Sequence, residues 1–511
     1  MCGILFVFQL GTKKITGKVF EDALKNQGWR GPDTTNLVAL HDGSILIGHN
    51  RLSIIDISAR ANQPMLSQNG RYLIAFNGEI YNHLELRKEL GLQGATTSDT
   101  ETILEGYAQL GEKIIDMLEG MFSLIIYDKA TDTWISARDS LGIKPLYMHE
   151  AGKFTVIGSE PGVIAELCQL SVDELAVSEW KLARRPCPGA SFFRGLREHP
   201  PGAIVRSDGS SRVYWKLEAS GEHYEQEHFE LLLRKSVTEH EISDVTNVAL
   251  LSGGLDSAVI TGLSKVRKAY SIGLKDNNEI SGAKDTASTL NRELVEVIVS
   301  DDELFDTWKH LVRIRKEPLS VPNEGLIYLV CKRMKQDEKV VLTGEGADEL
   351  LFGYDGIFRW ALDGIWEGPE AFLRRYGYSV EEPVSERLLT FVEEEKVGKS
   401  VIEFLEDFFY KFHLPGLLRR MDFASMAASK ESRVPFVSRI LINYMYRRRP
   451  EMKISEVKSK LPLRELAASM NLQGALNRKK IGFSAKTSGI ANRVVEYRIF
   501  QDTVLKELGW S

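Results

Sequence analysis

Cysteine is scarce in this 511-residue sequence. The four present, Cys2, Cys168, Cys187 and Cys331, are spaced neither like a zinc site nor like a disulfide framework, and a reducing compartment suits them. No stretch reaches the roughly 18 apolar residues of a membrane helix. The apolar start, Met1 to Leu10, has no basic segment before it and no small-residue cleavage site after it. A cytoplasmic location with no membrane partner is expected. Basic charge is not in excess either: 65 Lys and Arg against 71 Asp and Glu leave a net charge of -6. No field of that sign draws a phosphate backbone, so nucleic acid is not an expected partner. Internal repeats and low-complexity tracts are lacking too.

What is present is a globular composition, 43% hydrophobic and 27% charged, on a chain long enough for two domains. Up to about Tyr214, short apolar runs alternate with turns. Ser44 to Ile47, Tyr72 to Phe76, Phe122 to Tyr127, Thr133 to Ala137 and Phe154 to Ile157 read as strands, with helical periodicity at 19–26, 84–90 and 100–110. This is an α+β pattern of packed sheets. A polar linker, 216–227, and an amphipathic helix from about His228 follow. Val245 to Leu251, Ala269 to Gly273, Leu294 to Val299 and Lys339 to Thr343 then alternate with helices, which predicts a parallel α/β sheet. Beyond about Leu350 the pattern is mainly helical.

Cys2 follows the initiator methionine. If Met1 is removed, the thiol and an α-amine share one residue, and an amine titrating at about 7.7 to 8.0 can act as base for its own side chain. Alone, Cys2 reads equally well as a small buried thiol at a strand start. Asn77-Gly78 could be a hairpin turn, and Arg51 and Asp99 could be solvated surface charges. Chemically, arginine offers a fork to a carboxylate, and an Asn-Gly turn can aim a side-chain amide and a backbone N–H at one oxyanion.

Taken in order, Cys2-Gly3-Ile4, Arg30-Gly31-Pro32-Asp33, Arg51 to Asp56, Asn77 to Asn82 and Ser98 to Glu101 resemble the class II glutamine amidotransferase domain. The resemblance implies an N-terminal-nucleophile αββα sandwich over 1–215. It implies Cys2 as nucleophile, Asn77 and Gly78 as oxyanion hole, Arg51 on the glutamine α-carboxylate and Asp99 on its ammonium. Trp29 stands where the family often has histidine.

After the strand ending at Leu251, Ser252-Gly253-Gly254-Leu255-Asp256-Ser257 turns into a helix and points backbone amides and two hydroxyls at one place, a pyrophosphate-binding arrangement. The Gly-Lys-Ser/Thr ending of a Walker loop is missing. The segment resembles the PP-loop of ATP pyrophosphatases. A second loop, Gly344-Glu345-Gly346-Ala347-Asp348-Glu349, leaves another strand end, where parallel sheets bind ligands. With Asp422 to Met426, Glu431 to Phe436, Lys460 to Arg464 and Arg478 to Ser484, these motifs resemble the glutamine-hydrolysing asparagine synthetase family. The resemblance implies a PP-loop parallel-sheet α/β domain with a helical C-terminal part over 228–511, with ATP and Mg²⁺ as cofactors. Asp256 and Asp348 would hold the metal, as suits carboxylate oxygens. Leu250, Leu251, Ser252, Gly253, Gly254, Ser257, Ile272 and Gly346 would line the nucleotide. Glu345 would bind substrate, and Lys480 would stabilise the adenylation transition state. Lys479 reads as surface, Phe436 and Phe483 as core.

Glutamine and a carboxylate acceptor are the implied partners, with a homodimer left open. The acceptor is L-aspartate or another carboxylate, such as a sugar uronate or a natural-product precursor. Departures from the family pattern at Leu294-Val295-Glu296, Leu351 to Tyr354, Lys430, Ser438 and the surroundings of Glu317-Pro318 are expected near the acceptor. A catalytically silent member with a binding role and a stand-alone glutaminase are the other readings.

Overall fold

The computed structural model describes residues 2–11, 14–275, 279–377, 382–478 and 493–510, and the side chains of all of these except 493–495. Twelve strands form the N-terminal part: β1 (Gly3–Gln9), β2 (Thr34–Leu40), β3 (Ile45–Arg51), β4 (Met65–Leu66), β5 (Tyr72–Ile80), β6 (Gly120–Asp128), β7 (Thr133–Arg138), β8 (Tyr147–Ala151), β9 (Phe154–Gly158), β10 (Leu196–Glu198), β11 (Ala203–Arg206) and β12 (Ser211–Val213). They make two six-stranded antiparallel sheets, ordered β10-β8-β9-β1-β3-β2 and β12-β11-β7-β6-β5-β4.

Side-chain alternation explains the layering. Ile4 and Phe6 of β1 meet Leu73, Ala75 and Ile125 of the other sheet. Leu5 and Val7 point the opposite way, onto Phe20 and Leu24 of the helix Gly17–Asn26. On the second sheet, Ile74 and Phe76 pack under Ile103 and Leu104 of the helix Asp99–Leu110. Strands buried on both faces read as unbroken apolar runs, which is why this αββα sandwich shows so little polar alternation in its sequence.

Five more strands, β13 (Thr246–Leu250), β14 (Lys268–Leu274), β15 (Glu293–Val299), β16 (Glu338–Leu342) and β17 (Glu431–Arg433), form an all-parallel sheet ordered β15-β14-β13-β16-β17. Helices cover both faces. Ala249 faces Phe229, Val237 and Leu466, whereas Val248 shares a core with Leu311, Leu326 and Met421. A satellite of helices between 355 and 408 is built on Phe358, Phe372, Phe404 and Phe408. The linker is extended and fastened to the second domain through Ser220 N–H to Asn443 O at 3.0 Å and Glu225 N–H to the Tyr444 hydroxyl at 2.7 Å.

The two parts share apolar and ionic contacts. Leu52 and Ile54 pack with Val340 and Met426. Arg433, fully buried, holds Glu431 at 2.6 Å and approaches Glu79 of β5 at 3.4 Å. Its Nη1 also donates to the carbonyls of His240 and Ile242. Burial and the Glu431 charge push the Glu79 carboxyl well above the usual range, and Arg433 opposes them. Removing this cation takes from the buried Glu431 carboxylate its 2.6 Å ion-pair partner. Arg433→Met should therefore cost about 3–5 kcal/mol, read as a lower denaturant midpoint at unchanged slope; wild-type stability would contradict this.

Candidate active site

Cys2 immediately precedes β1, an interior strand, and is buried. Its N–H donates to Asn77 Oδ1 at 2.9 Å and its carbonyl accepts from Arg30 Nε at 2.9 Å, so both ends of the residue are held. Asn77 comes from β5 of the facing sheet. With its oxygen engaged, its buried Nδ2 has no hydrogen-bond partner among the described residues, an orphan donor of the kind a developing oxyanion satisfies. Burial raises the Cys2 thiol above its ordinary pKa, while the Leu52 N–H and Arg51 pull it down.

Asn77-Gly78 lies within β5 rather than at a turn. Both polar groups of the Phe122 backbone opposite Gly78 bond to Asp139, so this edge of β5 faces elsewhere. The Phe76 N–H goes to Gln63 Oε1 at 2.7 Å and the Ile80 N–H to Asp99 Oδ2 at 3.0 Å. By the period of two, the Gly78 N–H leaves the strand between them on the same edge. Glycine is required because a Cβ would lie 2.2 Å from Met121 O.

Arg51 and Asp99 are buried, 5% exposed each, not solvated. The Arg51 guanidinium donates to Ser58 O and Asn62 Oδ1 at 2.8 Å and to the carbonyls of Ile55 and Asp56. No carboxylate side chain pairs with it among the described residues. Asp99 opens the helix Asp99–Leu110, and burial pushes its carboxyl up to about 6.

In the parallel sheet the chain runs from β13 outward through β14 to β15, then returns to the other side of β13 for β16 and β17. The reversal makes a crevice beyond the ends of β13 and β16, where such sheets bind ligands. Both acidic loops emerge there. The Ser252 N–H and hydroxyl each lie 3.0 Å from Ser257 Oγ, and the Gly254 N–H donates to Ser252 Oγ at 3.1 Å. The hydroxyls thus shape the loop. Leu250 ends β13, Leu251 follows it directly, and Ile272 lies on neighbouring β14. Gly346 has φ +94°, and a Cβ there would lie 2.5 Å from Val437. Glu345 pairs with Arg420 at 2.8 Å.

Asp256 and Asp348 meet across the crevice on one cation, the ammonium of Lys460. It lies 2.7 Å from Asp256 and 2.6 Å from Asp348. A Cβ on Gly353 would lie 1.9 Å from Asp348 Oδ1 and 2.2 Å from Lys460 Cε, so a glycine keeps this cradle open. Two carboxylates already converging on a small cation fit a Mg²⁺ ion. Arg478 approaches Gly253 and has a buried Nη1 without a partner among the described residues, a donor suited to phosphate.

Sequence reading assigned no role to Arg30, Lys460 or Arg478, though each is the first residue of a quoted motif. Lys480, with Lys479 and Phe483, lies outside the described residues. Phe436 is core, as expected. Two of the departures from the family pattern have defined places in the fold. Lys430 sits just before β17, at the N-terminal edge of a sheet whose ligands bind at the other edge. Ser438 lines a cavity between the domains with Glu119, Asp139 and Arg439.

Comparison with known proteins matches each part of the chain to a family model. Residues 1–215 match the model of the glutamine amidotransferase domain, which places the chain among amidotransferase enzymes. Residues 228–507 match the asparagine synthase model, and the chain belongs to that family. "Asparagine synthetase [glutamine-hydrolyzing] 3" of Bacillus subtilis is 29% identical over 99% of this chain and 92% of its own length. "Asparagine synthetase [glutamine-hydrolyzing] 1" of the same organism is 29% identical over 94% and 87%. "Asparagine synthetase B [glutamine-hydrolyzing]" of Escherichia coli is 30% identical over 69% and 65%. The protein is thus a ligase of the asparagine synthetase type. Among the described residues no helix is long and apolar enough to cross a membrane.

Asp99 gives a pH test. Its folded pKa of about 6 exceeds the ordinary aspartate value of 3.8, so between those values the native state binds more protons than the unfolded chain. Stability from this group is full below pH 4 and is lost as pH rises through 6. Relative to Asp99→Asn, the wild type should lose up to about 3 kcal/mol between pH 4 and 7. A pH-independent difference in denaturation free energy would refute the shift.

Proposed function

We propose that the enzyme hydrolyses glutamine at Cys2 and uses the ammonia to amidate a carboxylate activated by ATP, with L-aspartate as acceptor and L-asparagine as product. The observation that carries this is the presence on one chain of a clamped Cys2 beside an orphan Asn77 amide and of two facing aspartates at the switch point of a parallel sheet. We take 1–215 as the glutaminase unit, 228–511 as the synthetase unit, and the cytoplasm as the location.

Arg51 would take the glutamine α-carboxylate and Asp99 its ammonium. The thiol adds to the carboxamide carbon, Asn77 Nδ2–H and the Gly78 N–H receive the oxyanion, ammonia leaves, and water hydrolyses the thioester. In the other domain the loop amides of Ser252 to Ser257, with Arg478, would face the phosphates, and Leu250, Leu251, Ile272 and Gly346 the rest of the nucleotide. Asp256 and Asp348 would hold Mg²⁺, which when bound neutralises phosphate charge. Glu345 would contact the acceptor, and Lys480 would offset charge on the departing pyrophosphate. The acceptor carboxylate attacks the α-phosphorus, pyrophosphate leaves, and ammonia then displaces AMP. Excluding water protects the acyl-adenylate in between.

Cys2→Ala should abolish glutamine-supported turnover and leave ammonia-supported turnover intact; retained glutaminase would refute the nucleophile. Pyrophosphate and AMP should form with aspartate in a panel of carboxylic acids. Release with a uronate and none with aspartate would overturn the acceptor. For the metal, Lys460→Met should strengthen Mn²⁺ binding to the nucleotide-free protein by about tenfold or more, because one competing charge is removed. Adding Asp348→Asn should cancel the gain. Unchanged binding on electron paramagnetic resonance titration would mean the metal is held elsewhere.

A further inference from the structure

We propose that Asp422, contributed by the synthetase domain, is a positioning residue for the glutaminase nucleophile, acting through Arg30. The inference rests on the reading of Cys2 as that nucleophile. Arg30 is fully buried and divides its guanidinium three ways. Nε donates to the Cys2 carbonyl at 2.9 Å, Nη1 to Glu160 at 2.6 Å and Nη2 to Asp422 at 2.8 Å. Glu160 belongs to the glutaminase unit; Asp422 lies 392 residues away along the chain.

The planar fork makes these contacts interdependent, because Arg30 cannot turn without breaking all three. With the Cys2 N–H fixed on Asn77, the orientation of the whole residue, and hence the approach of its thiol to a carboxamide, is set at the carbonyl end by Arg30. Asp422 fixes one prong of that fork. Its other oxygen faces Lys144 Nζ of the glutaminase unit at 3.5 Å, so a single synthetase carboxylate meets two buried cations across the domain boundary.

Its helix, Leu414–Ala427, is itself held from the synthetase side. Arg419 pairs with Glu317 at 2.6 Å and Arg420 with Glu345 at 2.8 Å. Residues 420 and 422 lie about 200° apart around a helix of 3.6 residues per turn, so opposite faces serve the two active sites. A glutaminase unit without this helix would keep every substrate-facing residue and lose the anchor that orients its nucleophile.

The experiment uses the full-length enzyme with Asp422→Asn, Asp422→Glu and Cys2→Ala. A glutamine chloroketone serves as the Cys2 probe, with the alkylated peptide located by mass spectrometry. For Asp422→Asn, glutaminase kcat and the rate of Cys2 alkylation should both fall by about ten- to a hundredfold, the cost of a small misplacement. Glutamine KM should move by less than about threefold. Ammonia-supported pyrophosphate release should stay within about twofold, since no ammonia is freed at Cys2 in that assay. Asp422→Glu, which keeps the charge, should lie between wild type and Asp422→Asn. Alkylation of Asp422→Asn at the wild-type rate, a change confined to KM, or a parallel loss of ammonia-supported turnover would each overturn the proposal. If Asp422→Asn fails to fold, Asp422→Glu decides: slower alkylation with ammonia-supported turnover retained supports the proposal, and wild-type alkylation overturns it. Glutamine hydrolysis by Cys2→Ala would instead remove the nucleophile reading, whatever Asp422 does.

Discussion

The buried contact between Arg30 and Asp422 constrains much of this molecule. Arg30, Glu160, Asp422 and Lys144 are all within 2% of full burial at their side chains. Ions taken so far from water cost several kcal/mol each unless every partner is present. The cluster's ion pairs are complete only when Asp422 of the C-terminal part meets Arg30 and Lys144 of the N-terminal part. Arg433 with Glu79 and Glu431 repeats the arrangement nearby, and the apolar contact of Leu52 and Ile54 with Val340 and Met426 closes the boundary.

Inside the N-terminal part, sheet packing gives Cys2 its immediate surroundings. A thiol before an interior strand of a sandwich could be inert, and burial raises Cys168, Cys187 and Cys331 as it raises Cys2. Cys2 differs in its fixed backbone, in the facing Asn77 amide and in the nearby Arg51. Those neighbours come from β5, β3 and the segment preceding β2, so sheet pairing rather than sequence proximity assembles them.

The second site follows from topology. Reversal of strand order beside β13 opens a crevice at the sheet's C-terminal edge, and two loops carry an aspartate into it. Left alone, the two carboxylates would repel each other. Lys460, from a residue in the left-handed region at φ +57°, supplies the cation that lets them face one another. The lysine's unusual backbone and buried amine therefore have an electrostatic reason.

Sequence by itself determined a great deal. Apolar runs and their period separated sandwich from parallel sheet, and short motifs singled out Cys2, Asn77, Asp99, Asp256 and Asp348 as candidates, because turn chemistry and loop composition are local properties. It misjudged Asn77-Gly78 as a turn, since Asn-Gly is also tolerated in a strand where a close neighbour excludes any Cβ. Tertiary structure alone decided what Arg30, Lys460 and Asp422 do. Their partners lie hundreds of residues away, and the strength of a buried charge pair depends on desolvation and geometry, neither of which is written in the order of residues along a chain.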